Sequence, residues 1–129
     1  MQIKLTGIYV DDQEKALRFY TDVLGFVKKA DVTNGGYRWL TVASPEDPDG
    51  VELQLALNDG PAAEAYQQAL HENGQPAAMF HTGDLQADYD RLVARGVEFP
   101  TPLSTEAWGS MAVLDDTCGN LIQLTQPAW

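Results

Sequence analysis

Glu52 lies inside Val51-Glu-Leu-Gln-Leu55, an apolar alternating run where a carboxylate is costly unless it meets solvent, a cavity or a partner. It can act there as a general base, anchor a cationic ligand, or simply point into a wet cleft. Gln54 and Gln123 add neutral donors and acceptors near it in the strand pattern, although polar residues on an open sheet face need no function. His81 follows Met79 and Phe80 in a strand-like run, where a histidine is either a hydrogen-bonded structural residue or a binding group. His71 closes a helical segment, where a cation suits the macrodipole, and reads as surface. Arg38 can meet an anionic substrate with its guanidinium fork, but in so acidic a chain a neighbouring acid is the better partner. Tyr9, Trp39 and Trp108 fall on or beside strands, so they can wall a site that stacks a planar ligand or pack a core or dimer interface. Cys118 lies between Asp116 and Gly119, where acids oppose a thiolate, and it is not assigned as a nucleophile. Asn34-Gly35-Gly36 is a hairpin turn rather than a phosphate loop, because no Lys-Ser or Lys-Thr follows a Gly-rich run.

The elements that position these residues come twice. Residues 3–10 read as a strand running into Asp11-Asp12, with Asp11 expected to cap a helix and Glu14 to reach back in a capping box. Ala16, Leu17, Tyr20, Val23 and Leu24 recur at helical spacing, and Gly25 supplies the stop. Strand-like runs at 26–32, 37–44 and 51–57 follow. The second half repeats the plan: an apolar run at 77–82, an Asp84 cap, a helix carrying Leu85, Tyr89, Leu92 and Val93, a stop at Gly96, then strands expected at 97–99 and beyond Pro100, at 108–114 and at 120–126. Pro100 and Pro102 mark an edge or a break. Asp47-Pro-Asp-Gly50 before one final strand answers Asp116-Thr-Cys-Gly119 before the other, so a tandem duplication of a βαβββ unit is the simplest account. The expected division is a first module at 1–58, a linker helix within 59–75 and a second module at 76–129, together one domain.

Bulk properties bound what such a chain can do. Its 129 residues leave no room for a two-domain enzyme, and 44% hydrophobic content supports an ordinary core. A net charge of −11 opposes a nucleic-acid partner. No stretch reaches the roughly 20 apolar residues of a membrane span and no signal peptide is apparent, so a cytoplasmic protein is expected. One cysteine excludes an intramolecular disulfide.

Ile8-Tyr-Val-Asp-Asp12, Ala16-Leu-Arg-Phe-Tyr20 and Val23-Leu-Gly-Phe26, together with Asp115-Asp-Thr-Cys-Gly-Asn-Leu-Ile-Gln-Leu124, resemble the vicinal oxygen chelate superfamily of glyoxalase, bleomycin-resistance and extradiol dioxygenase proteins. The resemblance implies an α+β fold of two tandem βαβββ modules, whose strands form a curved, open eight-stranded sheet around a cup with the helices outside, and a homodimer. In metal-dependent members, a His from the first strand and a carboxylate from the last strand of each module hold a divalent ion. Carried over, the His positions are Leu5 and Ala77, and the carboxylate positions are Glu52 and Gln123. Leu and Ala offer no donor and an amide oxygen is a weak neutral ligand, so neither a metal nor another cofactor is expected. The cup is expected to be lined by Leu5, Tyr9, Trp39, Glu52, Gln54, Ala77, His81, Trp108 and Gln123.

Three functions fit this reading. The chain is a glyoxalase-like protein that binds or transforms a small organic molecule without the full metal site, with Glu52 as the base in the catalytic case. Alternatively it sequesters a cationic drug, as bleomycin-resistance proteins do, helped by its acidity. In the third reading it is a structural or regulatory dimer whose cup is filled by side chains.

Overall fold

The computed structural model describes residues Met1–Trp129, which divide into two compact units, Met1–Glu64 and Ala65–Trp129. In the first, β1 (Leu5–Val10) leads into α1 (Gln13–Arg18), which continues as a π-helical turn over Phe19–Val23, and then into β2 (Val27–Asn34), β3 (Tyr37–Ala43) and β4 (Glu52–Leu57). α2 (Pro61–Glu72) follows. The second unit carries β5 (Ala78–His81), α3 (Leu85–Ala94), β6 (Thr101–Glu106), β7 (Gly109–Asp115) and β8 (Leu121–Pro127). The strands form two four-stranded sheets, ordered β1-β4-β3-β2 and β5-β8-β7-β6. In each, the first strand pairs parallel with the last and the other pairs are antiparallel. The fold is thus α+β, with one βαβββ module in each unit.

Period-two alternation decides which face of the first sheet the helix covers. Ile8, Val10, Leu40, Val42, Leu53 and Leu55 are buried on one face, and Ala16, Phe19 and Tyr20 are buried on the helical segment. Burying a side chain such as Leu40 or Leu55 contributes about 1.5–3 kcal/mol. Gln13 fixes the helix to the sheet, its Nε2 donating to the carbonyls of Arg38 and Leu55 at 2.9 Å each. The cap falls one residue later than expected. Asp12 accepts from the amide of Lys15 at 3.0 Å, while Asp11 bonds the Lys15 ammonium and Glu14 pairs with Arg38 instead of reaching back.

In the second unit Asp84 caps α3 as expected, accepting from the amide of Ala87 at 3.1 Å, and Leu85 and Leu92 are buried. Residues 97–99, expected in a strand, are not in one. Gly96 turns the chain at φ 87° and the Val97 amide bonds back to the Leu92 carbonyl, so Val97 closes the helix instead. Phe99 packs its ring 4.5 Å from that of Tyr89. The strand begins at Thr101, at the sheet's outer edge, with a register break spanning Pro102, whose missing N–H is tolerated there. Trp108 also departs from expectation. It sits in the β6–β7 turn, ahead of a Gly109 at φ 146° whose added Cβ would lie 2.4 Å from the Gln126 carbonyl oxygen, so the strand starts at that glycine.

Candidate functional site

The face of the first sheet opposite its buried side is set by register. Leu5 lies across from Glu52, Gly7 from Gln54 and Tyr9 from Ala56, while Gln54 also faces Thr41 and Trp39 faces Val32. Alternation places Tyr37, Trp39 and Thr41 together on that face of β3. Leu5, Tyr9, Val32 and Tyr37 are exposed, and Trp39, Glu52, Gln54 and Ala56 are half-buried. Two side-chain hydrogen bonds organise the polar part: the hydroxyl of fully buried Thr41 donates to Glu52 Oε1 at 2.6 Å, and Gln54 Nε2 donates to the Tyr37 hydroxyl at 3.1 Å. Five of the expected site residues, Leu5, Tyr9, Trp39, Glu52 and Gln54, therefore share one face. Thr41 and Tyr37 escaped the sequence reading, although counting by twos from Trp39 reaches both.

On the second sheet Met79 pairs with Gln123, and His81 and Met111 both pair with Thr125. Ala77, just ahead of β5, donates its amide to the Leu121 carbonyl, and Gln123 Nε2 donates to the Thr125 hydroxyl at 3.1 Å. Ala77, His81 and Gln123 thus share a face of this sheet, whereas Trp108 lies in the turn.

Register also tests the equivalence of the carried-over ligand positions. Leu5 lies across from Glu52, but Ala77 lies across from Leu121, so Glu52 corresponds to Leu121 in the duplication and Gln123 corresponds to Gln54. On either alignment, the positions hold at least two aliphatic residues and at most one carboxylate. No group of three or more His, Cys, Asp or Glu side chains placed to hold a metal ion occurs in the chain. These donors do not fit a divalent centre.

The other reactive residues have structural partners. Arg38 forms a fork with Asp31, at 2.8 and 2.9 Å, and reaches Glu14 at 2.8 Å. The guanidinium holds the Asp31 carboxyl below the usual carboxylate range, and the two acids push Arg38 up. Buried Cys118 belongs to a polar turn in which Asp116 Oδ1 accepts the amides of Cys118 and Asn120 at 2.7 and 3.0 Å. Gln67 of α2 donates to the Cys118 carbonyl at 2.9 Å, and His71 Nε2 stands 3.7 Å from Asp115. No helix is long and apolar enough to cross a membrane.

This fold of paired βαβββ modules, with one sheet face left open, places the chain in a family of shared architecture and varied chemistry. The family model described as Glyoxalase/Bleomycin resistance protein/Dioxygenase superfamily matches residues 2–124, and the chain belongs to that superfamily. It is 50% identical over 126 residues to the uncharacterized protein YurT of Bacillus subtilis (strain 168), spanning 98% of this chain and 99% of that one. Among solved structures, UcmS2 is similar at a TM-score of 0.84 and 30% identity, with 97% of each chain covered. TnmS3, an antibiotic binding protein from Streptomyces sp. CB03234, is similar at a TM-score of 0.75 and 32% identity, with 99% of this chain and 97% of that one covered.

Proposed function

We propose that this chain is a metal-independent binding protein that holds a small, flat organic molecule on the open face of its first sheet. The observation that carries this reading is the composition of that face: Tyr9, Trp39 and Tyr37 offer aromatic surface around a short polar track of Thr41, Glu52 and Gln54, and nothing there makes a metal ligand set. Aromatic side chains bind planar ligands through large apolar area and offset stacking, while the few polar groups orient them. Similarity to an antibiotic binding protein over nearly the whole of both chains supports capture over turnover.

The test is titration of the protein with planar polycyclic compounds, read by tryptophan fluorescence and calorimetry. Saturable binding is expected, with the compound recovered chemically unchanged. Trp39→Ala should weaken it at least tenfold, or about 1.4 kcal/mol. Affinity indifferent to Trp39→Ala would remove the proposed face from consideration, and conversion of the compound would establish the catalytic alternative.

A further inference from the structure

We infer that Glu52, oriented by Thr41, is the recognition point for a protonated nitrogen, so that the molecule held on this face is a planar aromatic cation; this rests on the reading of the face as a binding surface.

Five of the six basic side chains of the first unit have an acid or a carbonyl as partner, and the sixth, Arg18, ends α1. Lys15 pairs with Asp11, Lys28 with Asp31, Lys29 with Asp49, and Arg38 with Asp31 and Glu14, while Lys4 donates to the Asp49 carbonyl. None of the chain's ion pairs includes Glu52. No Lys, Arg or His stands in register on its sheet face, which carries Leu5, Gly7, Tyr9, Gln54, Ala56, Tyr37, Trp39, Thr41 and Ala43 and, on β2, Val27, Ala30, Val32 and Asn34; Lys28 pairs across from Val42 of the other face, and Lys29, at the register shift of β2, pairs with Asp49. A half-buried carboxylate without a counter-charge costs free energy, and the chain keeps this one with a single hydrogen bond, from Thr41 to Oε1.

Thr41 has one hydroxyl proton and spends it on Glu52, and because Thr41 is fully buried, that bond holds the carboxylate in one orientation. The second oxygen, Oε2, has no donor from the chain bonded to it and is open to solvent or to a donor on a ligand. A protonated nitrogen suits this position, because it brings an opposite charge and a charge-assisted hydrogen bond. Tyr9 and Trp39 on the same face supply the surface for the rest of a flat cation, and the net charge of −11 favours its approach.

Two probes of similar shape separate charge from stacking: 9-aminoacridine, a planar cation at neutral pH, and acridine, which is mostly neutral at pH 8. Both are titrated calorimetrically into the wild type, Glu52→Gln and Trp39→Ala, with circular dichroism confirming that each variant is folded. Glu52→Gln keeps an oxygen acceptor for Thr41, removes the charge and turns the outward oxygen into an amide donor. The expected result is that the wild type prefers 9-aminoacridine at least tenfold, that Glu52→Gln reduces this preference to within about twofold, and that Trp39→Ala weakens both probes. Equal affinity of the wild type for the two probes, or a preference that survives Glu52→Gln, would overturn the cation inference and leave the aromatic face standing. Binding of neither probe, or binding untouched by Trp39→Ala, would overturn the reading of the face itself and this inference with it.

Discussion

Replacing Thr41 with valine keeps the volume at a fully buried position and removes the one hydrogen bond that Glu52 receives. A hydrogen bond to a charged group contributes more than a neutral one, offset here by the gain of an apolar methyl, so Thr41→Val should lower stability by about 1 kcal/mol in urea unfolding. A change indistinguishable from zero would mean that Glu52 finds water of equal value. Arg38 has a different signature. Its fork with Asp31 holds that carboxyl below its ordinary value, so the stability it supplies is present above the unfolded carboxylate pKa and is lost as pH falls through the lower folded value. Acid unfolding followed by circular dichroism should therefore begin at higher pH in Arg38→Gln than in the wild type; coincident acid limbs would show that the pair adds nothing. The two residues differ in how far sequence reasoning reaches them. The acidity of the chain favours an ion pair for Arg38, whereas the partner of Glu52 lies eleven residues away across a hairpin whose register only coordinates reveal.

The elements were legible where a local signal has one physical meaning. Gly25, Gly74 and Gly96 follow helical segments at positive φ, and Pro61 opens α2, as their backbone preferences require. Boundaries shifted where two neighbours compete for one role. Asp11 and Asp12 are both competent caps, and the extended backbone of Asp12, at φ −154° and ψ 112°, settles the choice. Asp12→Ala should therefore lower the melting temperature, and Asp11→Ala should lower it less, since Asp11 only holds the exposed Lys15 ammonium. The reverse order would place the cap at Asp11. In α3, where Asp84 has no rival, Asp84→Ala should cost about 1 kcal/mol. Residues 97–99 depart from the expected strand because β-branched Val97 carries the same pattern whether it enters a strand or seals a helix end. The face shared by Glu52 and Trp39 was legible as alternation within each strand, but which strands lie side by side was not, since the parallel pairing of β1 with β4 joins the first strand of the module to its last.

Charge acts on the molecule as a whole. The first unit carries six basic residues against eleven acids and the second two against eight, so both are net negative and the acidity is not confined to one segment. Self-repulsion of this kind destabilises a compact state, and salt relieves it because the Debye length falls from about 30 Å at 0.01 M to about 10 Å at 0.1 M. The ion pairs on the surface are weakened by the same salt, but exposed pairs contribute little individually, so net repulsion should dominate. Raising sodium chloride from 20 to 500 mM is therefore expected to raise the melting temperature of the free protein. The same salt should weaken attraction between Glu52 and a cation, so the added thermal shift produced by 9-aminoacridine should shrink over that range. The two trends have opposite sign, which separates repulsion within the chain from attraction toward its ligand. A melting temperature that falls with salt would mean that the pairs around Asp31 and Asp49 outweigh the net charge, and a ligand shift independent of salt would remove charge from the recognition.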